Sequence, residues 1–262
     1  MRVLSVVGTR PEAIKMAPVI TELRQAGPDV ECRIVATGQH RDMLDQALDV
    51  FEMRPDADLK VMTPGQTLAG LTAAMLQALC GVIDDYDPDW VIAQGDTTSA
   101  MATSLCAYYA GVAFGHVEAG LRTGNLRRPF PEELNRRIAD EVASLRFAPT
   151  TTARDRLLAE GFPREEVLLT GNTVVDALQA VSRKQYDWEA GPLAEVPVDC
   201  RLVLVTAHRR ESFGTGIRDI CLAVRDLAGE FAGDGVRIVC PVHLNPRVGP
   251  EVRRILGGTP GV

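Results

Sequence analysis

The stretch VVGTRPEAIKMAP, residues 6–18, decides the fold of the first part of this chain. It predicts an apolar strand that ends at a single glycine, Gly8, and a helix that begins at Pro11, where the missing N–H of proline costs little. A dinucleotide-binding unit would carry G-x-G-x-x-G at such a junction. Here Arg10 and Lys15 add positive charge, and the free amides of a helix N-terminus favour an anion. The junction therefore predicts an anion site. The alternative is an ordinary helix start with solvated charges.

Strands and helices alternate along the chain. The predicted strands are Val3–Val7, Cys32–Ala36, Trp90–Ala93, Val112–His116, Leu145–Ala148 and Val167–Thr170. The predicted helices are Ala13–Gln25, Met43–Phe51, Leu68–Asp85, Ser99–Ala110, Glu132–Ala143 and Thr152–Glu160. Such alternation is typical of an α/β fold with a mostly parallel sheet and helices on both faces. Ligands bind at the carboxyl ends of the strands in such sheets.

Polar side chains follow the predicted strands. Asp96 comes after the strand that ends at Ala93, and the next strand leads into His116, Glu118 and Arg122. Because Asp96 and Glu118 follow adjacent predicted strands, we expect their carboxylates to converge. All four histidines of the chain are predicted in loops after strands. Acids and bases on one rim favour a site for a phosphorylated substrate with proton chemistry.

Other patterns exclude several kinds of site. His116 and Glu118 resemble the H-x-E of zinc deaminases, but no P-C-x-x-C follows, which argues against zinc. The absence of G-x-x-x-x-G-K-[ST] argues against a nucleotide triphosphatase. The six cysteines form no C-x-x-C pair and indicate buried thiols in a reducing compartment. Glu132 and Glu133 begin a predicted helix and are candidates for the site. The alternative for Glu133 is that its carboxylate only interacts favourably with the helix dipole.

A change of composition divides the chain. Residues 182–198 are polar, contain two prolines and lack sustained periodicity, which predicts a linker between a first domain at 1–181 and a second at 199–262. The second domain carries a short βα series with strands at Leu202–Thr206 and Val236–Pro241 and a helix at Ile217–Phe231. Because a parallel sheet needs more than two strands to bury both faces, this domain is predicted to be incomplete.

Composition restricts the partners of the protein. The chain has 262 residues, 46% of them hydrophobic and 24% charged, which is typical of a soluble enzyme. Its net charge of −7 argues against non-specific binding of nucleic acid. The N-terminal MRVLSVVG indicates a buried strand rather than a secretory signal. No apolar run is expected to reach the roughly 18 residues of a membrane span. A cytoplasmic location is therefore expected.

Several segments carry a resemblance to a known family. They are GTRPEAIKMAP, TGQHRDMLDQ, QGDTTSAMATSLCAYY, GHVEAGLRTG, PFPEELNRRIAD, LTGNTVVDAL, VTAHRRESFG and PVHLNP. In this order, and over essentially the whole chain, they resemble the non-hydrolysing UDP-N-acetylglucosamine 2-epimerases. The resemblance implies two Rossmann-like domains in a glycosyltransferase-B arrangement, with the nucleotide sugar in the cleft between them. It also implies a cytoplasmic homodimer that serves cell envelope polysaccharide biosynthesis.

The reaction that the resemblance implies inverts C2 of UDP-GlcNAc to give UDP-ManNAc, without NAD or metal. Elimination of UDP would give a 2-acetamidoglucal, and UDP would add back with proton delivery to the other face of C2. Such a reaction needs positive charge for the departing diphosphate and a base on each face. By match to the family motifs, the carboxylates are Asp96, Glu118 and Glu132, His208 lies near the diphosphate as proton donor or phosphate ligand, and Arg10 and Lys15 lie near the substrate.

Some bacterial members of the family bind a second UDP-GlcNAc as an activator. Four residues match positions that line that site: Gln39, Glu132, Arg209 and His243. Asp42 and Gly65 stand where some of those members carry Gln and Arg, which argues against strong activation.

Members of the family continue for about another hundred residues after the last segment that this chain matches. Those residues supply most of the uracil and ribose pocket. The resemblance therefore implies that residues 1–262 alone do not turn over UDP-GlcNAc. Three alternatives stay open: a sister epimerase that acts on another UDP-2-acetamido sugar, a hydrolysing epimerase that releases free ManNAc, and an inactive paralogue that only binds or oligomerises.

Overall fold

The computed structural model describes residues 1–38, 41–63, 65–207, 215–242 and 248–262. Contacts between residues divide the chain into two compact units, Met1–Lys184 and Gln185–Val262. The boundaries inferred from the sequence, with a linker at 182–198, stay a prediction.

The first unit contains a seven-stranded parallel sheet with helices between the strands. Its strands are β1 Arg2–Val7, β2 Glu31–Ala36, β3 Ala57–Asp58, β4 Trp90–Gln94, β5 Ala113–Val117, β6 Leu145–Ala148 and β7 Val167–Leu169. Its α-helices are α1 Arg10–Gln25, α2 Arg41–Val50, α3 Leu68–Tyr86, α4 Thr98–Ala110, α5 Glu132–Val142, α6 Thr151–Ala159 and α7 Val174–Ser182. The strand order is β3-β2-β1-β4-β5-β6-β7. The predicted alternation is confirmed. The two-residue β3 is new, because so short a strand leaves no periodic signal.

The order of the sheet reverses between β1 and β4, which are hydrogen-bonded neighbours. At such a switch point the loops after the two strands diverge to opposite faces and leave a crevice where ligands bind. The loops that follow β1, β4 and β5 therefore meet at one edge of the sheet.

Apolar side chains cover both faces of this sheet. Helices α1 and α2 bury Met16, Ile20 and Leu48 on one side. Helices α3 and α4 bury Met75 and Leu79 with Cys106 on the other. Thr67 and Thr97 cap α3 and α4 by accepting backbone N–H groups, which satisfies donors that the first turn leaves free.

Helix α3 corrects one inference from the sequence. It has 19 residues and a mean hydropathy of 1.3 over 18 of them, so by length and composition it could cross a membrane. The expectation that no apolar run reaches the length of a membrane span is therefore wrong. The side chains of Leu71, Met75, Leu79 and Ile83 lie on one face of the helix and pack into the core. In this structure one face of α3 packs against the core of the first unit.

The second unit holds two parallel strands, β8 Arg201–Leu204 and β9 Val236–Val239, and two helices, α8 Thr215–Glu230 and α9 Gly249–Leu256. Ile217, Cys221 and Val224 of α8 pack with Ile238 and Leu256. The predicted βα series is confirmed in the part of this unit that the structure describes. The side chains of all four β8 residues are exposed.

Candidate active site

A cavity of about 180 Å³ lies at the switch point of the first unit. It is lined by the β1–α1 loop with the start of α1, by the β4–α4 loop, and by side chains after β5 and on α5. The lining residues are Thr9, Pro11, Glu12, Lys15, Gln94, Gly95, Asp96, Thr97, Glu118, Leu121 and Arg136. The structure thus brings Asp96, Glu118 and Lys15 together, three residues that the sequence analysis placed in the site.

Glu118 stands directly after β5 with a φ of 67°, in the left-handed region that residues other than glycine rarely adopt. Its Oε2 accepts hydrogen bonds from Lys15 Nζ at 2.5 Å and from Gln94 Nε2. Its Oε1 accepts from Asn172 Nδ2 at 3.4 Å. The carboxylate is therefore held by donors from three separate elements. An unusual backbone conformation at a carboxylate in a cavity is typical of a functional site.

Asp96 lies two residues after β4 and is held by helix α5. Its carboxylate pairs with the guanidinium of Arg136, and its backbone carbonyl accepts from Asn135 Nδ2 at 2.9 Å. Gly95, which precedes it, has a φ of 82° that suits glycine. The sequence analysis missed these α5 partners. The local sequence carries no signal for them, because the contacts join residues 39 and 40 positions apart.

Glu12 is the buried carboxyl of the cavity, 2% exposed. Its Oε1 accepts from Thr97 Oγ1 at 2.6 Å, and its Oε2 accepts from the Gly8 N–H at 3.1 Å. Burial raises the pKa of Glu12 above its ordinary value, although these hydrogen bonds act in the opposite direction. The sequence analysis gave this residue no role, and it joins the β1–α1 loop to the β4–α4 loop.

Gly8 is required for the same close approach. A Cβ at this position would lie 2.1 Å from Ser99 Oγ and 2.7 Å from Thr37 Oγ1. The single glycine of the opening stretch therefore lets the β1–α1 loop pack against the start of α4. No second glycine is needed for this contact.

The remaining candidates occupy different positions. Arg10 is the first residue of α1, is exposed, and does not line the cavity. Glu132 is the first residue of α5, and its Oε2 is buried without a hydrogen-bond partner in the part of the chain that the structure describes. Four candidates lie outside the described residues: Gln39, His208, Arg209 and His243.

Glu133 makes more contacts than the helix-dipole interaction that the sequence analysis gave as its alternative. It is fully buried and accepts from the backbone N–H groups of Thr123 at 3.0 Å and Gly124 at 3.3 Å. Arg137 Nε donates to it at 3.3 Å. Burial opposes its charge, but these donors hold the pKa of Glu133 below its ordinary value. Its carboxylate therefore fixes the loop between β5 and α5.

The position of His116 also differs from the expectation. The residue lies inside β5 and is fully buried, whereas the sequence analysis grouped it with the histidines in loops, although its predicted strand Val112–His116 already ended at this residue. The observed strand extends one residue further, to Val117. The imidazole faces Asp140 of α5 and not the open rim. Arg122 also points to Asp140, and it forms a bidentate pair with Glu160.

The arrangement combines acidic and basic side chains with the N-terminus of a helix in one cavity. Asp96 and Glu118 each have a cationic partner, Arg136 and Lys15. The N-terminus of α1, which has no side-chain cap, places the positive end of a helix dipole at the same cavity. Two ionisable carboxylates beside a site for a phosphate group can perform acid–base chemistry on a phosphorylated ligand.

Comparisons with known proteins agree with this kind of site. The family model described as UDP-N-acetylglucosamine 2-epimerase matches residues 22–262. A UDP-N-acetylglucosamine 2-epimerase from Salmonella typhimurium is 48% identical, over 98% of this chain and 69% of its own length. The crystal structure of the UDP-GlcNAc 2-epimerase from Neisseria meningitidis bound to UDP-GlcNAc is 41% identical with a TM-score of 0.85, over 100% of this chain and 71% of that one.

Two further structures define the fold class. The complex of S. aureus MnaA with UDP is 40% identical with a TM-score of 0.83, over 98% of this chain and 66% of that one. The galactosyltransferase WaaB, at 11% identity and a TM-score of 0.51 over 92% of this chain and 67% of its own, shares the fold alone. These likenesses confirm the α/β class with Rossmann-like units of the glycosyltransferase-B type.

Proposed function

The chain belongs to the non-hydrolysing UDP-N-acetylglucosamine 2-epimerase family, and from this premise we propose that it interconverts UDP-GlcNAc and UDP-ManNAc at the switch-point cavity. The single observation that carries the proposal is the placement of Asp96 and Glu118 in one cavity with the N-terminus of α1. The bound UDP-GlcNAc of the Neisseria meningitidis relative and the UDP of the S. aureus relative support a UDP-sugar as the ligand.

The proposed reaction begins with cleavage of the C1–O bond, whose electron pair leaves with UDP. The C2 proton passes to a carboxylate, which leaves a 2-acetamidoglucal. UDP then adds back to C1 while a proton is delivered to the opposite face of C2. In this proposal positive charge near the α1 N-terminus, from Arg10 and Lys15, stabilises the departing diphosphate.

Two carboxylates suit the two proton transfers, because one base is needed on each face of C2. Asp96 and Glu118 lie on the loops after neighbouring strands β4 and β5, and both line the cavity. Glu132 and His208 complete the proposed set by their match to the family motifs. Lys15 and Gln94 support Glu118 by orienting its carboxylate.

The test is an assay of UDP-GlcNAc by NMR and chromatography. It uses the 262-residue chain and, beside it, the chain extended with the C-terminal part of the Salmonella typhimurium relative, of which this chain spans 69%. Whichever of these two proteins converts UDP-GlcNAc is called the active form. Formation of UDP-ManNAc up to an equilibrium mixture supports the proposal. Free ManNAc with UDP would instead indicate a hydrolysing epimerase, and turnover of only another UDP-sugar would indicate a sister enzyme. Failure of both forms would contradict the proposal.

The proposal includes a homodimer in the cytoplasm. Apolar side chains that the first unit leaves at its surface support the dimer. Tyr108 and Tyr109, at the end of α4, are 63% and 69% exposed. A second copy would cover this surface. Light scattering would give twice the chain mass, and Tyr108→Glu combined with Tyr109→Glu should shift the protein to a monomer.

A further inference from the structure

His116 of β5 has acceptors on both sides of its ring. It is 0% exposed, its Nδ1 lies 2.5 Å from Asp140 Oδ1, and its Nε2 lies 2.8 Å from the carbonyl oxygen of Gly95. A carbonyl oxygen can only accept a hydrogen bond, and so can an ionised carboxylate. Both ring nitrogens must therefore donate if both contacts are hydrogen bonds. This geometry requires a protonated imidazolium when Asp140 is ionised.

The carboxylate of Asp140 receives a second set of donors at its other oxygen. Asp140 Oδ2 accepts from Arg122 Nη1 at 2.6 Å and from the backbone N–H of Gly120 at 3.2 Å. Gly120 comes two residues after Glu118, in the loop that places that carboxylate in the cavity. One buried side chain of α5 thus contacts His116 on one side and the Glu118 loop on the other.

The charges that face the His116–Asp140 pair come from several elements. Arg122 bonds Asp140 and also pairs with Glu160 at the end of α6. Arg146 of β6 donates to the Asp140 backbone carbonyl at 2.8 Å and pairs with Glu166. These groups are two carboxylates, Glu160 and Glu166, and two guanidiniums, Arg122 and Arg146, so together they are neutral. The ionised Asp140 is the partner that balances a charged His116.

The Gly95 contact links this buried network to the cavity. Gly95 immediately precedes Asp96, so a contact with the Gly95 carbonyl acts on the backbone that carries the Asp96 side chain. Asn135 and Arg136, which precede Asp140 on α5, bind the Asp96 carbonyl and carboxylate. Helix α5 therefore holds the Asp96 loop directly through two side chains and, by way of Asp140 and His116, through Gly95.

We propose that His116 is a positioning residue: as an imidazolium bridging Asp140 and the Gly95 carbonyl, it fixes the loop that carries Asp96 relative to the loop that carries Glu118. The kinetic part of this inference rests on the proposed function. The direction of the pKa shifts agrees with it. Burial opposes the charged ring, but the Asp140 carboxylate and the Gly95 carbonyl raise the pKa of His116 above its ordinary value. The imidazolium and Arg122 likewise hold the pKa of Asp140 low against the effect of burial.

The first test needs no enzymatic activity. The 262-residue chain, with ¹⁵N in the rings of its four histidines, is examined by NMR near neutral pH. We expect one histidine to show two ring N–H correlations protected from exchange, both of which disappear in His116→Gln. Protonation of only one nitrogen of His116 would overturn the bridging role, because one of its two contacts would then lack a donor on the ring.

The second test uses two variants that each keep one contact. The amide nitrogen of Gln lies as many bonds from Cα as His Nε2 and can reach Gly95, whereas that of Asn matches Nδ1 and can reach Asp140. In the active form, we expect His116→Asn to lose roughly 10- to 100-fold in kcat, as small misplacements of catalytic groups do. His116→Gln should keep a clearly larger share of kcat, and KM should change by less than about threefold in both.

The outcomes separate positioning from stability alone. Thermal unfolding of both variants is measured in parallel, since loss of a buried contact destabilises either one. A kcat that is equal in His116→Asn and His116→Gln would overturn the positioning role, whatever their stability. If neither form of the wild-type protein epimerises UDP-GlcNAc, the proposed function fails, and the NMR result still decides whether His116 bridges Asp140 and Gly95.

Discussion

Lys15 Nζ lies 2.5 Å from Glu118 Oε2, and the two residues are 103 positions apart in the sequence. The side chains are 23% and 12% exposed, so the pair lies at the wall of the cavity and not in open solvent. The contact joins the second turn of α1 to the end of β5. Under the proposed function, a bound diphosphate would lie near a lysine that also pairs with the carboxylate. The pair therefore places the proposed proton acceptor and a cation for the leaving group side by side.

Glu118→Gln tests the role of this carboxylate. The substitution keeps the size of the side chain and an oxygen for Lys15, but it removes the base. We expect kcat of the active form to fall by about 10²- to 10⁴-fold, the usual contribution of a general acid or base, while UDP-GlcNAc binding measured by calorimetry is largely kept. Glu165→Gln, on an exposed side chain outside the cavity, is the matched control. A loss of less than about threefold would remove Glu118 from the catalytic set.

Arg10→Ala tests the anion site at the start of α1. Arg10 is exposed at the first position of the helix, so its removal should leave the fold intact. Hydrogen bonds to charged groups contribute about 1.5–3 kcal/mol, so we expect Kd for UDP-GlcNAc to rise by roughly tenfold or more. Arg54→Ala removes another exposed charge elsewhere on the unit and should leave Kd unchanged. Equal affinities of the two variants for UDP-GlcNAc would argue against a phosphate contact of Arg10.

The sequence predicted the meeting of Asp96 and Glu118 because parallel strands end at one edge and these residues follow successive strands. It did not predict Arg136 as the partner of Asp96, since that contact depends on the rotation of α5 about its axis. It did not predict that His116, the last residue of its predicted strand, contacts Asp140, since that contact also depends on how α5 packs against β5. The contact between Glu12 and Thr97 joins residues 85 positions apart, beyond any local pattern.

Gly120→Ala tests the backbone of the Glu118 loop. Gly120 has a φ of 84°, and a Cβ at this position would lie 2.5 Å from the Ala153 carbonyl oxygen. Because strain of this kind costs about 1–3 kcal/mol, we expect urea unfolding to show a loss of at least that size. Gly81→Ala in α3 is the control: its Cβ would meet no atom within 4 Å. Helix propensity predicts a gain of roughly 0.5–1 kcal/mol there. Equal stabilities of the two variants would contradict the prediction.

Glu12→Gln tests the effect of the buried carboxyl on stability. Its pKa is raised above 4.5 in the folded protein, chiefly by burial. The folded state therefore binds this proton more tightly than the unfolded state, and stability falls as pH rises from about 4.5 through the folded pKa. We expect the free energy of unfolding of the wild type, relative to Glu12→Gln, to decrease over this window. Urea unfolding between pH 4 and 8 measures it, with Glu165→Gln as the exposed control. A difference that does not vary with pH would mean that Glu12 binds protons equally in both states.

The isotope at C2 tests the proposed mechanism itself. If a carboxylate of the cavity removes the C2 proton and another group returns one from the opposite face, a proton taken from solvent replaces the original. In D2O we therefore expect the UDP-ManNAc formed by the active form to carry deuterium at C2, as mass spectrometry and NMR would show. Glu118→Gln, which keeps the Lys15 contact but lacks the base, should slow deuterium uptake together with epimerisation. Epimerised product that retains its original hydrogen would instead require oxidation at another carbon or direct internal transfer. The placement of Asp96 and Glu118 in one cavity favours exchange with solvent.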